Sequence, residues 1–267
     1  MRANEMNSKD KTSSVEHDPI IISPSPQLIG KITRHLQQDG VYCLENALNK
    51  NTLRGFQNEI NTLIESRGKR YFSLINLYKD QDSSFNVLDM SANLKELLKG
   101  LADSGTKEDL SSSEILNVLR IVSGENVTGQ SLRFHYDATM ITALIPVLIP
   151  DGPVAETGHL VTFRNLRQTR DSALVNILEK IMVQNMLIQK IFSFFVMRNL
   201  DKHIVKIKEG NIYFFYGYRT LHANLAVNPK FTRATLLFHF GDLHNDSFLV
   251  RSIATFRHWR EKRNSEL

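Results

Sequence analysis

Apolar residues recur along this chain with two periods, one helical and one alternating, and the change between them divides the sequence. Residues 1–19 are polar and charged with no apolar period, and are expected to be disordered. Ile20–Ile22 ahead of Ser-Pro-Ser-Pro reads as a short edge strand ended by prolines. Gln27–Gln38 then places Leu28, Ile29, Ile32 and Leu36 on one helical face, and Asp39-Gly40 stops it. Val41–Leu44 reads as a strand. Asn51 or Thr52 can cap a second helix carrying Leu53, Phe56, Ile60, Leu63 and Ile64 along one side. Tyr71–Leu74 and Phe85–Leu88 look like short strands or loop walls. Ser91–Leu101 and Ser111–Leu119 look like two helices, with the polar stretch Asp103–Asp109 as a turn between them.

From Ile115 onward strands dominate. Leu119–Ser123, Gln130–Tyr136, Met140–Leu148, Gly158–Phe163, the run from 209 to 222 and Phe231–Phe240 are all strand-like. One segment breaks the series. Asp171–Arg198 carries a wide helical stripe that includes Leu174, Ile177, Ile181, Met186, Ile191 and Phe195, with Asp171 placed to cap it. Glu179, Lys180, Gln184, Asn185, Gln189 and Lys190 interrupt the stripe, so it is not a membrane span. Core packing explains it, and a lid over a pocket or a homodimer face through 171–198 is the alternative use. Asp246–Arg263 reads as a last helix, with Leu249, Ile253 and Phe256 on one side and basic residues at its end, which suit the helix dipole. Contact of that basic end with an anionic membrane surface is the sharper reading. The pattern is that of an α+β protein, with a disordered tail at 1–19 and a single domain over 20–267.

Composition narrows the setting. A length of 267 residues with 42% hydrophobic positions supports one sizeable core. The single Cys43 excludes an internal disulfide, and no secretory apolar segment opens the chain, so a reducing, cytoplasmic location is expected. A net charge of +5 favours anionic small-molecule partners without being large enough to argue for nucleic acid.

The candidate chemistry lies in the strand-like half. In Ser131-Leu-Arg-Phe-His-Tyr-Asp137, His135 and Asp137 are two apart, so on a strand they emerge on one face, about 6.6 Å apart along the backbone. An imidazole and a carboxylate so placed can hold one metal ion. His222, in Arg-Thr-Leu-His-Ala-Asn, can supply a third ligand and complete the facial triad typical of non-heme Fe(II) oxygenases. Eleven residues later come Arg233 and Thr235, on one face of a hydrophobic strand. A buried guanidinium needs an anion, and Arg suits bidentate capture of a carboxylate.

This set resembles the Fe(II)- and 2-oxoglutarate-dependent dioxygenases, the phytanoyl-CoA dioxygenase-like branch in particular, over residues 28–65 and 128–243. The resemblance implies a double-stranded β-helix (jelly-roll, cupin-like) core with flanking N-terminal helices, one long inserted helix and a C-terminal helix. It implies His135, Asp137 and His222 as Fe(II) ligands, with Arg233 meeting the far carboxylate of 2-oxoglutarate and Thr235 adding a hydroxyl. O2 would be the oxidant and a small molecule the substrate, with succinate and CO2 as co-products. Because Asp137 is present, hydroxylation or desaturation is favoured over halogenation, whose relatives lack that carboxylate. Arg133, on the face of His135, would bind an anionic substrate, support the cosubstrate or form a salt bridge at the barrel mouth, and Tyr213 and Asn224 are read first as structural, with a polar group offered to the cosubstrate as the alternative. His239 is read as a satisfied core histidine, and His159 as no ligand. A zinc or manganese cupin-like protein, or a binder without turnover, is the rival reading, and Arg233-x-Thr235 argues against both.

Overall fold

The computed structural model describes residues 18–77, 83–125, 131–167, 179 and 182–242. Ser25 caps α1 (Pro26–Asp39) by accepting from the Leu28 amide, and Gly40, at φ 74°, closes it in the left-handed region. β1 (Val41–Leu44) follows at once. α2 (Lys50–Arg67) is capped by Asn49 rather than by Asn51 or Thr52. Then come β2 (Phe72–Ile75), α3 (Asn86–Met90), α4 (Ala92–Gly105), β3 (Leu116–Ser123), β4 (Thr139–Leu148) and β5 (Leu160–Phe163). The chain continues through α5 (Met186–Arg198), α6 (Leu200–His203), β6 (Ile204–Val205), β7 (Ile212–Phe215), β8 (Leu221–Asn224) and β9 (Thr232–Asp242).

The strands form two antiparallel sheets, one of six strands in the order β1-β7-β4-β9-β3-β2 and one of three in the order β6-β5-β8. Strand alternation sorts the side chains into layers. From β9, Ala234, Leu236, Phe238 and Phe240 face the helices, where they join Ile32 and Leu36 of α1, Phe56 and Ile60 of α2, and Leu97 and Leu101 of α4. Fully burying side chains of this size contributes about 1.5–3 kcal/mol each, so this layer anchors the large sheet. The opposite face of β9 presents Arg233, Thr235, Leu237 and His239 to a cavity that His222 and Asn224 of β8 and Leu160 of β5 also line. On the outer side of the small sheet, Val161, Leu221 and Ala223 meet Phe134, Tyr136 and Val196 of α5. The cavity therefore lies between the sheets, with a sealed apolar layer behind each of them. Among the described residues, no helix is long and apolar enough to cross a membrane.

Several elements differ from the sequence reading. Ile20–Ile22 contributes only an isolated bridge, Ile20 to Leu48. Phe85–Leu88 is the start of α3, not a strand. Ser111–Leu119 is not a helix: its second half enters β3, an inner strand buried on both faces, whose apolar run lacks alternation for that reason. The run from 209 to 222 is two strands in different sheets, because the amides of Arg219 and Thr220 turn back onto the Tyr216 carbonyl. The 171–198 helix is not continuous, since a new helix starts at Met186 with Asn185 as its cap, its side chain accepting from the Leu187 amide. Asp171 and most of the first half lie outside the described residues, as do 246–263 and 1–17. On α5, Met186, Leu187, Ile191, Phe194, Phe195 and Met197 are exposed, so much of the stripe is not core.

Candidate metal and cosubstrate site

Residues 131–137 form an irregular extended segment rather than a regular strand. Leu132 takes a left-handed backbone, φ 51°. Beyond it the segment lies antiparallel to β8 through a single bridge, in which the amide of His135 donates to the His222 carbonyl at 3.0 Å and the amide of His222 donates back at 3.1 Å. This bridge sets the two imidazoles side by side, with ring centroids 4.3 Å apart. Gln189 of α5 clamps the segment from outside, accepting from the Phe134 amide at 2.8 Å and donating to its carbonyl at 2.7 Å.

Each imidazole is held in the same tautomer. His135 Nδ1 lies 2.9 Å from the Arg133 carbonyl and His222 Nδ1 lies 3.0 Å from the Thr220 carbonyl. A carbonyl only accepts, so each Nδ1 carries a proton, and in the neutral ring Nε2 is the nitrogen left with a lone pair facing Asp137. Those Nε2 atoms sit 3.9 Å and 3.6 Å from Asp137 Oδ1. The three donor atoms lie within 4.8 Å of one another, a spacing one cation can bridge. Burial pushes the His135 imidazole well below its ordinary range, helped by the neighbouring His222, so it is neutral and ready to ligate. Burial alone would raise the Asp137 carboxyl, but His222, His239, His135 and the Thr142 hydroxyl outweigh it and hold the group ionised.

The other carboxylate oxygen is fixed by a relay. Thr142 Oγ1 donates to Asp137 Oδ2 at 2.5 Å and so accepts from His239 Nδ1, 3.0 Å away. Thr142 and His239 face each other across β4 and β9 in register. Gly217 completes the holder. The Asp137 amide donates to its carbonyl at 2.9 Å, and a Cβ there would strike Asp137 Oδ2, with Thr142 Oγ1 at 2.7 Å. Ligand orientation by such outer contacts tunes metal affinity.

Across the cavity, Arg233 is 2% exposed. Its guanidinium donates to Asn224 Oδ1 at 3.0 Å and to Thr235 Oγ1 at 3.4 Å, while its Nε has no partner. No carboxylate among the described residues pairs with it. Burial brings it down to about 9, with the charge of Arg120 adding to the effect. Gly158, at φ 70°, lets this side chain pass, since a Cβ there would collide with Arg233 Cδ. A buried cation with an orphaned N–H and no counter-ion fits the far carboxylate of a keto acid whose other end reaches the triad.

No family model and no curated protein matches the chain. Solved structures do. A prolyl 4-hydroxylase from Phytophthora capsici aligns at TM-score 0.53 and 14% identity, covering 91% of this chain and 77% of the other. A prolyl hydroxylase from Trichoplax adhaerens, in complex with a hypoxia-inducible-factor peptide fragment, aligns at TM-score 0.52 and 11% identity, over 81% and 90% of the two chains. The epimerase SnoN of nogalamycin biosynthesis, in complex with Fe3+, alpha-ketoglutarate and nogalamycin RO, aligns at TM-score 0.50 and 13% identity, over 81% and 85%. The chain shares the fold of these enzymes.

Within that fold, His135, Asp137, His222, Arg233, Thr235 and Asn224 all line one cavity. Two further candidates lie elsewhere. Arg133 is exposed and contributes its carbonyl, not its side chain, because residues 131–137 run as an irregular segment with one bridge, at His135, and alternation of faces holds only along a regular strand. The Tyr213 hydroxyl accepts from the Lys208 amide at 2.9 Å and donates to the Lys206 carbonyl at 3.2 Å, so it braces the chain before β7 and does not line the cavity. His239 is satisfied, yet it stands beside the site rather than in inert core. Thr142, Gly217 and Arg120 do not stand out in the sequence. Thr142, inside the apolar run of β4 and opposite His239, is the signal for the relay.

Proposed function

We propose that the chain is an Fe(II)- and 2-oxoglutarate-dependent oxygenase, built on a double-stranded β-helix of the phytanoyl-CoA dioxygenase-like kind, that hydroxylates or desaturates a small anionic or zwitterionic molecule. One observation carries the reading: two Nε2 lone pairs and one carboxylate converge in the same cavity as a buried guanidinium with no counter-ion. A metal alone would need the triad, and a carboxylate-bearing cosubstrate gives Arg233 its missing counter-ion. The donor set of two imidazoles and one carboxylate suits Fe(II) and leaves coordination positions open. When bound, Fe(II) with 2-oxoglutarate and O2 supplies an oxidant for an unactivated C–H bond, with succinate and CO2 as co-products.

The chain's own residues do the rest. His135, Asp137 and His222 hold and orient the metal, and Thr142 with His239 keeps the Asp137 carboxylate in one rotamer. Arg233, steadied by Asn224 and Thr235, takes the far carboxylate of the cosubstrate, where a charge-assisted pair in a dry cavity is strong. The apolar layer of Leu144, Leu160, Phe215 and Leu237 lines the same cavity and limits water. The test is anaerobic titration of the Fe(II)-loaded protein with 2-oxoglutarate, which should produce a visible charge-transfer band. Metal loading without that band would refute the reading in favour of a zinc or manganese cupin-like protein.

A further inference from the structure

A second guanidinium faces the same cleft. Arg120 lies in the middle of β3, opposite Thr235 of β9, between the inward-facing Val118 and Val122. It lines the triad cavity and also an adjoining one, formed with Tyr71, Ser131, Leu225 and Val227; Arg233 and Asn224 are common to both. Its charge adds to the burial that pushes the Arg233 guanidinium down. Among the described residues it has neither a hydrogen bond nor an ion pair. Two cations lining one cleft repel each other, and an anion received between them relieves that repulsion.

The proposed chemistry supplies one of the two anions. An Fe(II) ion and Asp137 sum to one positive charge, the cosubstrate dianion takes this to minus one, and Arg233 returns it to zero. The cosubstrate then has one carboxylate at the metal and one at Arg233, and none for Arg120. One positive charge is left over, at the junction between the triad and the outer cavity. We propose that Arg120 receives an anionic group of the substrate, a carboxylate in the first instance, and so presents the substrate's reacting carbon towards the His135–Asp137–His222 centre. The proposal rests on the oxygenase reading for its charge count.

The probes are benzoate, phenylacetate, hexanoate and N-acetylglycine, each compared with its primary amide by calorimetry on the Mn(II)- and 2-oxoglutarate-loaded full chain. At least one acid should bind about tenfold or more tighter than its amide, the range of a hydrogen-bonded charged group. Arg120→Gln should erase that preference and Arg120→Lys should keep part of it, while 2-oxoglutarate affinity in both stays within about twofold of wild type. A panel in which no acid is preferred over its amide overturns the proposal. So does an Arg120→Gln protein whose 2-oxoglutarate affinity collapses, since Arg120 would then serve the cosubstrate. Failure of the wild-type, metal-loaded chain to bind 2-oxoglutarate is a separate result: it sinks the oxygenase reading and the charge count with it.

Discussion

Gly217→Ala tests whether the metal site depends on how closely the chain approaches Asp137. The added Cβ would lie 2.7 Å from Thr142 Oγ1 and 2.8 Å from Asp137 Cβ, and nearer still to Asp137 Oδ2. Ordinary non-bonded carbon contacts are ~3.5 Å or longer, so Asp137 has to retreat by roughly 0.7–1 Å. It cannot swing freely, because its amide is tied to the Gly217 carbonyl and its Oδ2 to Thr142. The retreat moves Oδ1 away from the two Nε2 atoms. Loss of a ligand's orienting contacts typically weakens metal binding by about 10–100-fold, or about 1.4–2.7 kcal/mol. Overpacking adds its own cost, about 1–3 kcal/mol of fold stability. Chelator competition for Mn(II) would measure the first effect and thermal melting of the metal-free protein the second. Gly30→Ala is the control, since nothing lies within 4 Å of a Cβ at that position in α1, and it should be neutral or stabilising by about 0.5–1 kcal/mol. A Gly217→Ala protein that holds Mn(II) as tightly as wild type would refute the argument.

Further predictions follow from the same contacts. Thr142→Val leaves both Asp137 Oδ2 and His239 Nδ1 without their shared partner and should weaken metal binding by about 10–100-fold, whereas Thr142→Ser should restore most of it; equal affinity in all three would remove the relay. Arg233→Met should weaken 2-oxoglutarate by about 1.5–3 kcal/mol or more without touching metal affinity, and the ligand-free protein should melt no lower than wild type because an unpaired buried cation is gone; unchanged cosubstrate affinity would refute the assignment. The metal-free fold should lose stability on acidification. The imidazoles of His135 and His239 are pushed below their ordinary 6.5 by burial first, so the unfolded chain takes up protons that the folded chain resists. Stability is then full above about pH 6.5 and falls below it, by up to about 1.4 kcal/mol per pH unit for each such group. Melting points in chelator from pH 8 to pH 5 would check this, and a flat or rising trend below 6.5 would contradict it.

The candidate residues of this site are easier to pick out in the sequence than the geometry that supports them, and the reason is physical. His135, Asp137, His222 and Arg233 announce themselves because a metal ion and a carboxylate accept few residue types. Their cradle does not. Gly217 matters for the atom it lacks, and nothing in Tyr-Gly-Tyr says that a carboxylate presses against its α-carbon. Thr142 matters because of the residue across from it, and cross-strand register is absent from a linear pattern. Strand faces are recoverable where one face is polar, as along β9, and lost where both are apolar, as along β3, so Arg120 is hidden inside a segment that reads partly as helix. Arg133 shows the converse failure: alternation assigns it to the cavity, and the irregular run of residues 131–137, bridged only at His135, undoes the assignment. The arginine that lines the cavity is therefore Arg120, to which spacing assigns no role, and not Arg133. Of the two, it is Arg120, on an inner strand paired on both sides, that lines the cavity where an acid and its amide would be told apart.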